Sequence, residues 1–326
     1  MYYQGAAGLV DDQPLLTDAI ESWYTVTSTY PSVIVFSGLV CLGSTFYPPP
    51  GTNLVGSTYE YSRYGGSDTD GPAFVGTGAV IAPFQAMDGA PLIQLGVLTE
   101  GWTGGSDQGD WAGGPFKPTG QNPTVSNLAF SGWLLGVPTN GSMPGLVAIN
   151  VQDVGDGRIE DCTFAGFDRL GSGYGSPLII GGGILIQSSG DTSPQGFYSN
   201  GWHFNSVQFD HCAYGIMFLG PNSTDSQISN VHTGDCFFPI VLGLSSSDNA
   251  GGALISDCHF VGNTGSTIIS SGQSVDPDVA TWTSATHVLY LDSSTNMKEF
   301  ALATSQTQTS LDRCCVIVET PHPPTR

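Results

Sequence analysis

The sequence predicts an all-β solenoid, and three observations carry that prediction. The first is a repeat. Six short stretches share one rule: an apolar residue, any residue, a turn-forming or polar residue, Cys or Leu, any residue, then Phe, Tyr or Val. They are Val125-Ser126-Asn127-Leu128-Ala129-Phe130, Ile159-Glu160-Asp161-Cys162-Thr163-Phe164 and Phe209-Asp210-His211-Cys212-Ala213-Tyr214. The others are Thr233-Gly234-Asp235-Cys236-Phe237-Phe238, Ile255-Ser256-Asp257-Cys258-His259-Phe260 and, more loosely, Leu311-Asp312-Arg313-Cys314-Cys315-Val316. Cys212 to Cys236 is 24 residues and Cys236 to Cys258 is 22, while the remaining gaps are 34, 50 and 56. A local unit recurring at about 20–25 residues, with insertions between copies, signals stacked coils. The second observation is composition. With 45 Gly and only 11% charged residues, the chain favours turns and strands over helices. The third is a set of apolar strands between the repeats: Leu146-Val147-Ala148-Ile149, Ile184-Leu185-Ile186, Ile216-Met217-Phe218 and Ile240-Val241-Leu242.

Taken in order, the chain opens with a short amphipathic helix over residues 13–24. Asp11 or Asp12 caps it, Pro14 fits its first turn, and Leu15, Leu16, Ala19, Ile20 and Trp23 share one face. Val33-Ile34-Val35-Phe36 is a buried strand, Gly38 turns the chain, and Leu39-Val40-Cys41-Leu42 follows. Gly5, Ala6, Gly8, Asp11, Asp12, Ala19 and Ile20, with the strand at 33–36 and Gly38, resemble the N-terminal signature of pectate-lyase-like β-helix proteins. Leu9 and Ser37 depart from that signature, where Asp and Pro are usual. The resemblance reaches to about residue 265. It implies a right-handed parallel β-helix whose open N-terminal end is closed by the helix, since a first coil otherwise exposes an unpaired edge and a bare core.

Three regions follow: a cap helix with first strands over 1–45, coils with loop insertions over 46–272, and a C-terminal capping or oligomerisation section over 273–326. Residues 48–120 are rich in Gly, Pro and Trp and read as early coils with long loops. The stretch Gln273-Ser274-Val275-Asp276-Pro277-Asp278 is linker-like, and the tail from Pro321 is extended.

Within each hexapeptide, alternation sends positions 1, 4 and 6 inward. Position 3 turns a tight corner, where Asn and Asp tolerate the left-handed conformation. Asn127, Asp161, Asp235 and Asp257 suit that corner, and His211 and Arg313 suit it less. The Cys and aromatic columns read as core. Positions 2 and 5 point outward. On this alignment Glu160 and Asp210 stand on neighbouring coils at the parallel-strand spacing, where two carboxylates can act as acid and nucleophile in glycoside cleavage. A solvated acidic face is the plainer reading of the same pair. Trp102, Trp111, Trp133, Tyr174, Tyr198 and Trp202 fall in loops or at coil edges, and with the outward His259 they are candidates for contacting neutral sugar rings. Ordinary packing competes, because Trp is usually mostly buried.

Other chemistry is not suggested. Polygalacturonases, which share the expected fold, use Gly-His-Gly and Arg-x-Lys on consecutive coils, and neither is present. Arg158 and Arg169 are the only Lys or Arg residues within the clear coils, which disfavours cleavage of acidic polysaccharides. Seven Cys without a CxxC pair suggest neither a disulfide framework nor a zinc site, and no cofactor motif occurs.

Net charge is −21 with only 7 Lys plus Arg. Such a chain repels nucleic acid and anionic membrane surfaces. Adaptation to salt is an alternative cause of the acidity. No apolar run approaches the roughly 18 residues of a membrane span, and the first residues lack the pattern of a signal peptide. Together with the family resemblance, these features lead us to expect an extracellular virion tail protein of the tailspike or tail-fibre type. It would be a homotrimer that joins other tail proteins and binds a host surface glycan. A polysaccharide-degrading hydrolase or lyase is the alternative, and a structural spacer or adaptor without ligand is the third reading.

Overall fold

The hexapeptide folds as two short strands joined at a corner. In the computed structural model of the chain, Thr124–Ser126 and Leu128–Ser131 flank the corner at Asn127, and Arg158–Glu160 and Thr163–Phe167 flank that at Asp161. Each coil adds a third strand, such as Val147–Gln152 or Gly182–Gln187. Equivalent strands of successive coils pair in parallel, so three sheets of nine, eight and seven strands run along the described residues. The fold is an all-β parallel β-helix, with one helix, at its start, among the described residues. One pairing departs from the parallel pattern: Ile268–Ser270 and Val288–Leu289 run antiparallel. The structure describes residues 1–7, 10–49, 51–57, 78–85, 87, 90–96, 122–132, 146–167, 182–188, 199–220, 223, 225–234, 236, 238–242, 253–261, 268–270, 288–289, 310–312 and 315–317. Among them no helix is long and apolar enough to cross a membrane.

The register corrects two of the six repeats. Ile159 pairs with Phe204, not with Phe209, and Phe204 pairs in turn with Ile228. The true units are therefore Phe204-Asn205-Ser206-Val207-Gln208-Phe209 and Ile228-Ser229-Asn230-Val231-His232-Thr233, each five residues before the expected one. The other four are aligned as expected. Successive units begin 34, 45, 24, 27 and 56 residues apart. Position 1 is then Val125, Ile159, Phe204, Ile228 and Ile255, all fully buried. Position 4 is Leu128, Cys162, Val207, Val231 and Cys258, so Val207 and Val231 stand in the column where Cys212 and Cys236 were expected. Cys212 and Cys236 are also buried, but at other places in the coil.

Corner chemistry follows the expectation with corrected members. Asn127, Asp161, Ser206, Asn230 and Asp257 hold φ between 53° and 55°. Short polar side chains tolerate this left-handed region because they bond locally. Asn230 Nδ2 donates to Ser206 Oγ across one coil at 2.8 Å. Inside, Phe130 and Phe164 stack at 4.8 Å and 4°, and Phe164 and Phe209 at 5.1 Å and 19°. Tyr214 belongs to the third sheet, outside this ladder.

The cap helix spans Asp12–Thr27 and ends at Ser28 in the left-handed conformation. Asp11 is its N-cap. Its Oδ1 accepts from Gln13 N at 3.0 Å and from Gly43 N at 2.7 Å. A Cβ at Gly43 would stand 2.1 Å from the Asp11 carboxylate, so only Gly brings that backbone close enough. Asp12 is fully buried and joins three segments. Its Oδ1 accepts from Tyr3 OH at 2.9 Å and Ala6 N at 3.0 Å, and its Oδ2 accepts from Cys41 N at 2.8 Å. Burial, then the bonded Asp12 carboxylate, push the Tyr3 phenol well above its usual range. Leu16 and Ile20 enter the core, whereas Leu15 and Trp23 are 49% and 40% exposed, so the apolar face is narrower than periodicity suggested.

In the C-terminal section, Ser310–Asp312 pairs with Leu254–Ser256 and Cys315–Ile317 with His259–Val261, extending the first two sheets by one coil.

Two outcomes are expected. Asp12→Ala leaves the buried Cys41 amide and the half-buried Ala6 amide without their acceptor, while Tyr3 OH keeps the Asp12 carbonyl; unfolding free energy falls by about 2–4 kcal/mol, against about 1 kcal/mol for Asp11→Ala. Urea unfolding of both variants checks the order. Native-state alkylation at pH 8, mapped by mass spectrometry, should leave Cys41, Cys162, Cys212, Cys236 and Cys258 unmodified, since all are buried free thiols. Burial, with the nearby Asp12 and Asp11 carboxylates, pushes the Cys41 thiol up to about 11, and burial pushes Cys162 up to about 12. Rapid labelling of either would contradict this.

Candidate functional site

Parity on either side of the corner leaves outward ladders on the first two sheets. On the first sheet, Arg158, His203, Gln227 and Leu254 follow one another in register, and beside them run Ser126, Glu160, Asn205, Ser229 and Ser256. On the second sheet the outward ladder is Ala129, Thr163, Gln208, His232 and His259. Arg158, Asn205, Gln227, His232 and His259 are exposed, and Glu160, His203, Gln208, Ser229 and Ser256 are half-buried. Side chains on the stripe brace one another from coil to coil. Ser229 Oγ donates to Asn205 Oδ1 at 3.2 Å. The strands repeat at about 4.8 Å, close to the length of one pyranose ring.

The stripe also carries one arginine and three histidines. Arg158, His203, His232 and His259 lie on it. His232 and His259 face each other with ring centres 5.0 Å apart and planes at 58°. Partial burial, then the neighbouring His259, hold the His232 imidazole below its usual pKa. No cluster of three or more His, Cys, Asp or Glu suited to a metal occurs among the described residues.

The expected carboxylate pair is not formed. Glu160 pairs with Asn205 on the first sheet, and Asp210 pairs with Ala165 and Gly234 on the second. The two carboxylates were aligned through the misplaced third repeat, and the correct register moves Asp210 five residues along the coil. Asp210 is 8% exposed, with its Oδ1 3.1 Å from where a Cβ of Gly234 would stand.

Trp202 is a core residue, not a sugar platform. It is fully buried, its Nε1 donates to Val154 O at 2.7 Å, and its ring stacks 6.2 Å from Phe204. A Cβ at Gly157 would lie 2.2 Å from the Trp202 ring, so that glycine makes room for it. Trp102, Trp111, Trp133, Tyr174 and Tyr198 lie outside the described residues. His259 is exposed on the stripe as expected. Asn205, Gln208, Gln227 and His232 were not singled out beforehand; the corrected repeat would have found the first two and His232 in its outward positions.

No protein-family model matches the chain, and no curated protein matches it. Among solved structures, it is similar to ORF18 of Geobacillus virus E2, with 12% identity and a TM-score of 0.38 over 80% of this chain and 52% of that one. The chain thus spans about half the length of that protein. It is also similar to a 1,3-α-1,4-β-D-galactose-4-sulfate-3,6-anhydro-D-galactose-2-sulfate 4 galactohydrolase, with 14% identity and a TM-score of 0.39 over 97% of this chain and 70% of that one.

Trp202→Ala is expected to cost about 3–5 kcal/mol of stability, as large core truncations do. A fall in the urea midpoint separates this from a binding role, which would leave the midpoint unchanged.

Proposed function

We propose that the chain is a virion tail protein of the tailspike or tail-fibre type. On this reading it is a pectate-lyase-like, right-handed β-helix that forms a homotrimer and holds a host surface polysaccharide along the outward stripe. The observation that carries the proposal is that stripe: amide, hydroxyl and imidazole side chains repeat on successive coils at nearly the size of one sugar ring. Amides and hydroxyls suit sugar hydroxyls, since each both donates and accepts. The Arg158 guanidinium puts one positive charge on the stripe of a chain with net charge −21, which suits neutral or mildly anionic glycans. Support for the family comes from the N-terminal residues, where Asp11 and Asp12 tie the cap helix to the first coil. Cleavage is not included, because the Glu160–Asp210 pair that suggested it is not formed.

Light scattering should give about three times the chain mass of 34.0 kDa. Immobilised host envelope polysaccharide should retain the wild type, and Asn205→Ala and Gln227→Ala should each weaken retention about three- to tenfold, the loss of one or two hydrogen bonds. A clean monomer would remove the trimeric assembly, and equal retention of wild type and both variants would remove the stripe as the binding face.

A further inference from the structure

Sheet register sets His232 and His259 directly opposite one another on adjacent parallel strands, in the fifth position of consecutive coils. Both are exposed. The backbone, rather than a chance of side-chain rotamers, brings the two imidazoles together. Their planes meet at 58°, which is neither the flat stack nor the perpendicular edge contact that aromatic pairs prefer.

The spacing has a chemical meaning. A late first-row metal ion lies about 2.0–2.1 Å from an imidazole nitrogen, which puts the ring centre about 3.2 Å from the ion. Two rings meeting one ion at a right angle then have centres about 4.5 Å apart, and at the tetrahedral angle about 5.2 Å. The observed 5.0 Å falls between these limits.

We propose that His232 and His259 bind one late first-row divalent cation, Zn2+, Ni2+ or Cu2+, as a clamp between two coils. Neutral imidazole suits these ions, and solvent exposure lets water complete the coordination sphere. The net charge of −21 raises the local cation concentration. Gln208 holds the same register position one coil earlier and Cys315 one coil later. The pair is therefore inside the ladder, and a bound ion ties the strand His232–Gly234 to His259–Val261 across about 4.8 Å. Nothing in this depends on the glycan reading, since the ligands are the protein's own side chains.

The test is calorimetric titration of the chelator-treated full chain with Ni2+ and with Cu2+. One ion per chain is expected, with His232→Ala and His259→Ala each weakening binding at least about tenfold. His203→Ala, on the other outward ladder, should leave it unchanged. The Cu2+ complex should show electron paramagnetic resonance hyperfine coupling to two imidazole nitrogens. At about a hundred times its dissociation constant the ion should raise Tm by at least about 3 °C in wild type and not in either variant. If an alanine variant shifts the metal-free melt, His→Gln at the same position is read in its place. Absence of saturable binding, or binding that persists in both His232 and His259 variants, overturns the proposal.

Discussion

A single backbone conformation organises this molecule: the left-handed corner at the third position of each repeat. Asn127, Asp161, Ser206, Asn230 and Asp257 all adopt it within a few degrees. For an L-residue that conformation costs roughly 1–2 kcal/mol relative to the right-handed one. Polar corner residues offset the cost through local bonds and, at Asn230, through a bond to the corner of the preceding coil. In return the corner resets side-chain parity at the same point in every coil. Positions 1, 4 and 6 then stack on their own kind, which gives the buried aliphatic column and the ladder of Phe130, Phe164 and Phe209. The outward ladders follow from the same parity, so core and surface are two readings of one turn.

The fold was readable in the sequence because corner and core residues recur locally. The alignment of two units was not. Val207 and Val231 replace Cys or Leu, and Thr233 replaces an aromatic residue, yet all three are buried where the rule requires. Cys212 and Cys236 meanwhile sit beside aromatic residues and imitate the rule at the wrong place. The poor fit of His211 to a left-handed corner was the signal of the slip, and Ser206 is the residue that makes that turn. The error mattered for function. An offset of five residues moves a side chain to another sheet, and the apparent carboxylate pair depended on it. Trp202 could not be assigned from sequence alone, because its cavity is created by Gly157, 45 residues earlier.

At the N-terminal end, two adjacent carboxylates do different work. Asp11 caps the helix and holds the turn at Gly43, while Asp12 gathers Tyr3, Ala6 and Cys41 around one buried group. A buried carboxylate is tolerated when its lone pairs are met by donors, and here three donors meet it. The helix is thereby fixed by polar bonds at its start and by Leu16 and Ile20 along its length. A narrow apolar stripe suffices because the carboxylates set the orientation.

The uneven distances between repeats have a consequence for how such a chain can change. Coils are matched by corner and core positions, and the described strands keep their register whatever number of residues separates them. A segment between coils can lengthen, shorten or be exchanged for another while its neighbours keep their partners. The scaffold and its decorations are thus separable units of inheritance, and new surface chemistry can be acquired one insertion at a time.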